Sequence, residues 1–117
     1  MYYRTLFPSQ KPADFRDYLE QLRENLSEQG RFDAVKRLGS SSRRPSAERL
    51  NRVKAPTLVI MGTKDPDFPD PALEGRIVAD QMGGALELVE GSGHYPQTEM
   101  PEKTAPIVID FLKRSAS

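Results

Sequence analysis

Cysteine is absent from this 117-residue sequence, which excludes disulfide staples, thiolate nucleophiles and cysteine-ligated zinc together and leaves the redox compartment unmarked. Net charge is absent as well, because 17 lysines and arginines balance 17 aspartates and glutamates. Without an overall positive field to draw in a phosphate backbone, no nucleic-acid partner is expected. No apolar run approaches the ~18–20 residues of a bilayer span, and Met1-Tyr2-Tyr3-Arg4 leads into polar sequence with no apolar signal core. The expectation is a cytoplasmic protein with no membrane partner. Histidine occurs once, at His94.

What is present suits a single small globular unit, with 37% hydrophobic and 29% charged residues giving a modest core under a well-solvated surface. Between Lys11 and Gln29, Phe15, Tyr18, Leu19, Leu22 and Leu26 recur at threes and fours, the spacing of an amphipathic helix. Gly30 is a stop, and Phe32, Val35 and Leu38 mark a second short helix before Gly39. The polar stretch from Gly39 to Pro45, with Arg43-Arg44, reads as a loop, and a helical turn from Ser46 to Arg52 follows.

From Pro56 the pattern changes. Thr57-Leu58-Val59-Ile60-Met61 is a continuous apolar run ending at Gly62, as expected of a strand buried on both faces. Asp70 caps a helix opening with Pro71, with Leu73, Ile77, Val78 and Met82 turned inward and Gly83-Gly84 as its end. Leu86 to Val89 reads as a second strand, Gly91 to Pro96 as a tight loop, and Ile107, Val108, Phe111 and Leu112 as the inner face of a last helix from about Pro101. A right-handed strand–helix–strand crossover puts both strand-to-loop junctions at one carboxyl edge, where open α/β sheets keep their chemistry.

Those two loops hold the chemistry-bearing residues. His94 is a candidate general base, against the alternative of a satisfied structural histidine. Asp65 and Asp67 leave the first strand in Gly62-Thr63-Lys64-Asp65-Pro66-Asp67, so an acid and a histidine leave neighbouring strands at the same edge, as a carboxylate that orients an imidazole requires. Aspartates beside prolines also serve as turn formers and caps; Asp65, nearest the strand end, is the better acid. Ser92 and Tyr95 flank His94 as possible supporting residues, Ser92 in a structural role. A metal held by His94, Asp65, Asp67 and Asp70 has suitable donor atoms but no spacing typical of a known site, so neither metal nor cofactor is expected.

The stretches Val53 to Asp65, Leu88 to Pro96 and Glu99-Met100-Pro101-Glu102 resemble the last two strands of α/β-hydrolase-fold enzymes. The resemblance covers roughly Ala47 to Leu112, and the helical hairpin before it looks like the end of the lid of those enzymes. It implies an α/β class with a partial α/β-hydrolase fold, a short parallel sheet flanked by helices. Residues 1–46 then form a lid-like helical segment and residues 47–117 a carboxy-terminal subdomain. It also implies Asp65 as triad acid and His94 as triad base, acting on a small-molecule, ester-like substrate. The family's glycine-x-serine-x-glycine elbow has no counterpart in these 117 residues. Ser40, Ser41 and Ser42 sit in a polar stretch with no positioned base.

A two-stranded parallel unit leaves backbone edges and an apolar face to be covered. A homo-oligomer is expected, joined through an exposed sheet edge or through swapped helices, with pairing to a separately encoded half as the other route. Activity then takes one of two forms: His94 with Asp65 activating water, or a serine arriving from another chain. The competing reading is a truncated, inactive hydrolase serving as an oligomerisation or interaction module.

Overall fold

Two short β-rich runs and the helices that follow each of them set the architecture. In the computed structural model, which describes residues 2 to 116, Met1 and Ser117 of the two sequence segments lie outside the described residues. The chain divides into two units, one formed by Met1–Lys11 with Arg49–Ser117 and the other by Pro12–Glu48.

In the second unit, α1 (Phe15–Ser27) and α2 (Arg31–Ser40) form the hairpin, turned at Gly30. Helix α1 begins later than Lys11 because Pro12 precedes it, the Phe15 amide bonding to the Pro12 carbonyl at 3.1 Å. Helix α2 runs through Gly39, where a loop is expected from the sequence, and α3 (Arg44–Ala47) takes up the two arginines' end of that stretch. Phe15 and Leu19 are buried, whereas Phe32, Val35 and Leu38 lie exposed along α2.

In the first unit, β1 (Leu58–Gly62) and β2 (Ala85–Val89) pair in parallel, with Leu58 opposite Ala85 and Gly62 opposite Val89. A 3-10 turn at Leu50–Arg52 precedes β1. Between the strands, α4 (Pro71–Met82) starts where the Asp70 carboxylate accepts the Leu73 amide at 2.9 Å and ends at Gly83. After β2 come α5 (Pro96–Glu99) and α6 (Pro101–Ser115). Side chains alternate across a strand. Met61 and Leu86 meet α4 around Gly75, while Leu58, Ala85 and Glu87 line a groove of about 340 Å³ with Ile107, Phe111 and Arg114 of α6.

Three expectations are corrected here. The first strand is only half-buried from Leu58 to Met61, because full burial needs a neighbouring strand on each side and β1 has one partner among the described residues. The packed face of α4 is only in part the apolar one read from the sequence, with Val78 and Met82 half-buried as expected. Gly75 and Ala79 are buried, letting the helix settle close to Leu86, while Leu73 and Ile77 are 56% and 43% exposed. Leu112 of α6 is likewise exposed. No described helix is long and apolar enough to cross a membrane.

The segment before the hairpin carries structure that polarity alone does not suggest. A 3-10 turn at Tyr2–Leu6 buries Leu6 and brings Phe7 into the core, and the Leu6 carbonyl accepts the His94 amide at 3.0 Å. Residues at the amino end therefore pack against the histidine loop.

The end of β1 is pressed against that loop. A β-carbon at Gly62 would lie 2.1 Å from the Gly93 carbonyl oxygen and 2.5 Å from that of Ser92, both backbone atoms that cannot swing aside. Gly62→Ala is expected to destabilise the unit by about 2–3 kcal/mol, measured by urea unfolding. Gly39→Ala, with nothing within 4 Å, is expected instead to raise hydrogen-exchange protection in α2 by up to about 1 kcal/mol.

Candidate active site

Both sheet-edge loops are stitched to one another before any functional side chain is placed. The Thr63 amide bonds to the Val89 carbonyl (3.2 Å), the Lys64 amide to the Ser92 carbonyl (2.8 Å), and the Gly91 amide to the Thr63 hydroxyl (2.9 Å). These bonds continue the parallel pairing beyond the strands and fix the height of Asp65 relative to His94.

Asp65 is 5% exposed, and its two oxygens are used separately. One accepts the Asp67 amide at 3.0 Å, closing a turn at Pro66, and the other lies 2.9 Å from His94 Nδ1. A carboxylate acceptor selects the tautomer protonated on Nδ1, which leaves the lone pair of Nε2 as the basic site. The His94 side chain is 33% exposed, so the imidazole is held from its buried side while remaining reachable. Asp67 stands farther off, 3.5 Å from the same nitrogen, and accepts the Tyr2 hydroxyl. Its carboxylate reinforces the charge beside the ring without replacing Asp65.

Tyr95 packs edge-on against the His94 ring with centroids 4.9 Å apart, and Phe7 stacks on the Tyr95 ring at 5.3 Å. Tyr3 completes this aromatic group. Ser92 is fully buried and donates its hydroxyl to Glu99 at 3.2 Å, the structural role expected of it. Asp70 stays at its cap. The ligand atoms of Asp65, Asp67 and His94 lie within 4.8 Å of one another, the donor set a cation would share if one displaced the Nδ1 proton. The groove beneath α6 belongs to the amino ends of the strands, away from this edge.

Glu99 is the site-supporting residue that the sequence does not disclose as such. It is 1% exposed, and its oxygens divide the work. One accepts the amides of Ser9 and Gln10 at 2.6 and 2.9 Å; the other accepts the Gly93 amide at 2.6 Å and the Ser92 hydroxyl. Burial pushes its carboxyl upward, but the Gly93, Gln10 and Ser9 amides and the Ser92 hydroxyl outweigh that and hold it below the ordinary glutamate range. The available signal was indirect: a glycine-serine-glycine turn presents backbone N–H groups that need an acceptor once buried.

Over residues 2–107 the sequence matches the family described as "Alpha/beta hydrolase family". Among curated proteins it is 40% identical over 65 residues to the 2-hydroxy-6-oxononadienedioate/2-hydroxy-6-oxononatrienedioate hydrolase of Paraburkholderia xenovorans, covering 55% of this chain and 22% of that protein. It is 31% identical over 75 residues to the monoacylglycerol lipase ABHD6 of Rattus norvegicus, covering 64% of this chain and 22% of the relative. A Klebsiella pneumoniae protein bearing the same hydrolase name as the first is 34% identical over 68 residues, 57% of this chain and 23% of that protein. The chain thus spans between a fifth and a quarter of the length of these relatives.

A carboxyl at Glu99 that ionises below the ordinary glutamate range in the folded state has a signed consequence. The ionised carboxylate contributes stability that is fully present above the unfolded glutamate value of about 4.3 and is lost as pH falls through the lower folded value. Glu99→Gln is expected to cost about 3 kcal/mol at pH 7. The gap from wild type should close below pH ~4, as read by denaturant titrations across pH.

Proposed function

Because the chain belongs to the alpha/beta hydrolase family, we propose that it carries the acid–base half of a hydrolytic site for ester-like small substrates. His94 is the general base and Asp65 the carboxylate that orients it. The observation that carries this reading is the 2.9 Å bond between a buried carboxylate oxygen and the Nδ1 of a part-exposed imidazole. The relatives' names, those of a hydrolase and a lipase, support hydrolysis as the reaction class.

The chemistry follows from the tautomer. Nε2 takes a proton from the attacking oxygen as that oxygen bonds to the acyl carbon, and Asp65 stabilises the imidazolium that forms. The same proton then passes from Nε2 to the leaving oxygen as the ester C–O bond breaks. With no serine elbow among these residues, the attacking oxygen comes either from a serine on another polypeptide segment, giving an ordinary triad, or from water. The water route lacks a preorganised oxyanion hole and is correspondingly slow.

A general base in position accelerates such a reaction by ~10²–10⁴-fold. Purified protein is expected to hydrolyse an aryl acetate faster than His94→Ala by about tenfold or more, with Asp65→Ala losing most of the same advantage. Equal rates for all three would dismiss the catalytic pair and leave the second reading, an inactive interaction module.

Association is part of this proposal. Each strand has one edge without a strand partner among the described residues, and Leu73, Ile77 and Leu88 are exposed. A second copy joining through a sheet edge or exchanged helices would cover them. Light scattering is expected to give a dimer or larger; a well-folded monomer at micromolar concentration contradicts it.

A further inference from the structure

The structure assigns Glu99 a role beyond holding the fold: we infer that it is a positioning residue for His94, clamping the histidine loop from behind so that Nδ1 stays on Asp65. The inference builds on the proposed His94–Asp65 pair but concerns a group that touches neither side chain.

Three observations converge. First, the Glu99 oxygen that accepts the Gly93 amide at 2.6 Å grips the Ser92–Gly93 peptide, one before the amide of His94. The His94 amide itself is held by the Leu6 carbonyl at 3.0 Å. Consecutive amides of the loop are therefore anchored, one to a charge and one to the amino-terminal segment. Second, the other Glu99 oxygen holds that same segment through Ser9 and Gln10. One carboxylate thus ties the loop and the strap that braces it. Third, the junction leaves no slack. A β-carbon at Gly93 would lie 2.3 Å from Pro8 Cδ and 2.4 Å from the Leu6 carbonyl oxygen, so the loop cannot drift toward the strap and is prevented by Glu99 from drifting away.

The alternative is a buried carboxylate that stabilises the fold with no effect on the imidazole. The two differ in the Nδ1 proton. Since His94 is the sole histidine, a strongly hydrogen-bonded Nδ1–H gives one downfield proton resonance, assigned by its loss in Asp65→Asn. Glu99→Gln, checked for native dispersion, is expected to lose or broaden that resonance. Phe111→Ala, which loosens α6 in the groove at the far end of the strands, is expected to keep it. Retention of the signal in Glu99→Gln, its loss in Phe111→Ala, or its absence from the wild type would each overturn the assignment. Should Glu99→Gln fail to fold, Ser92→Ala decides, since it deletes one donor to the same oxygen. Several-fold faster exchange of the Nδ1 proton with water supports the role, and wild-type exchange refutes it. The readout is a proton and not turnover, so an inactive protein with an intact, Glu99-dependent resonance would sink the hydrolase reading alone.

Discussion

The Asp65–His94 bond exists because two loops leave a parallel strand pair at the same edge and cannot slide past each other. Parallel pairing sets their order, the Thr63, Lys64 and Gly91 bonds continue the register beyond Gly62 and Val89, and the bare backbone of Gly62 lets the two main chains touch. Were the register to shift by one residue, the bonds that join the two loops would lose their partners. The placement of this pair is in that sense a property of main-chain hydrogen bonding, with the side chains added at positions that the backbone has already determined.

Charge is handled economically around that pair. Two of the buried polar side chains are carboxylates, Asp65 and Glu99, and neither has lysine or arginine as a partner within ion-pair distance among the described residues. Asp65 is held by the His94 imidazole at 2.9 Å and by the Asp67 amide. Glu99 is stabilised by dipoles alone, since its contacts are amides and a hydroxyl. Ion pairs built from Arg or Lys lie instead on the exposed faces of helices, as at Arg44–Glu48 and Arg114–Asp110, where each is worth only a few tenths of a kcal/mol. No buried side-chain polar atom among the described residues lacks a partner.

Much of this was legible in the sequence, for identifiable reasons. Strand β1 announced itself as an apolar run closed by glycine, α4 by Asp70 and Pro71, and the acid and histidine by their places after the strands. The illegible parts are those decided by packing between distant segments. Polarity around Tyr2 to Gln10 hid a buried Leu6 and Phe7. Helix periodicity chose Leu73, Ile77, Val78 and Met82 as the inner face of α4; Val78 and Met82 are half-buried, but close approach to the sheet selected the smaller Gly75 and Ala79 over Leu73 and Ile77. Glu99 stood out in the sequence only as part of the Glu99-Met100-Pro101-Glu102 stretch, because nothing local reveals that amides from Ser9, Gln10 and Gly93 converge on it.

Ser9 and Glu99 are 90 positions apart, and that separation carries a kinetic consequence. Contacts between remote segments form only after the intervening chain has surrendered its conformational freedom, and topologies rich in them fold slowly. The histidine loop is therefore braced late on the folding route. On a ribosome, the amino-terminal strap must wait for nearly the whole of this sequence to be synthesised before its acceptor emerges.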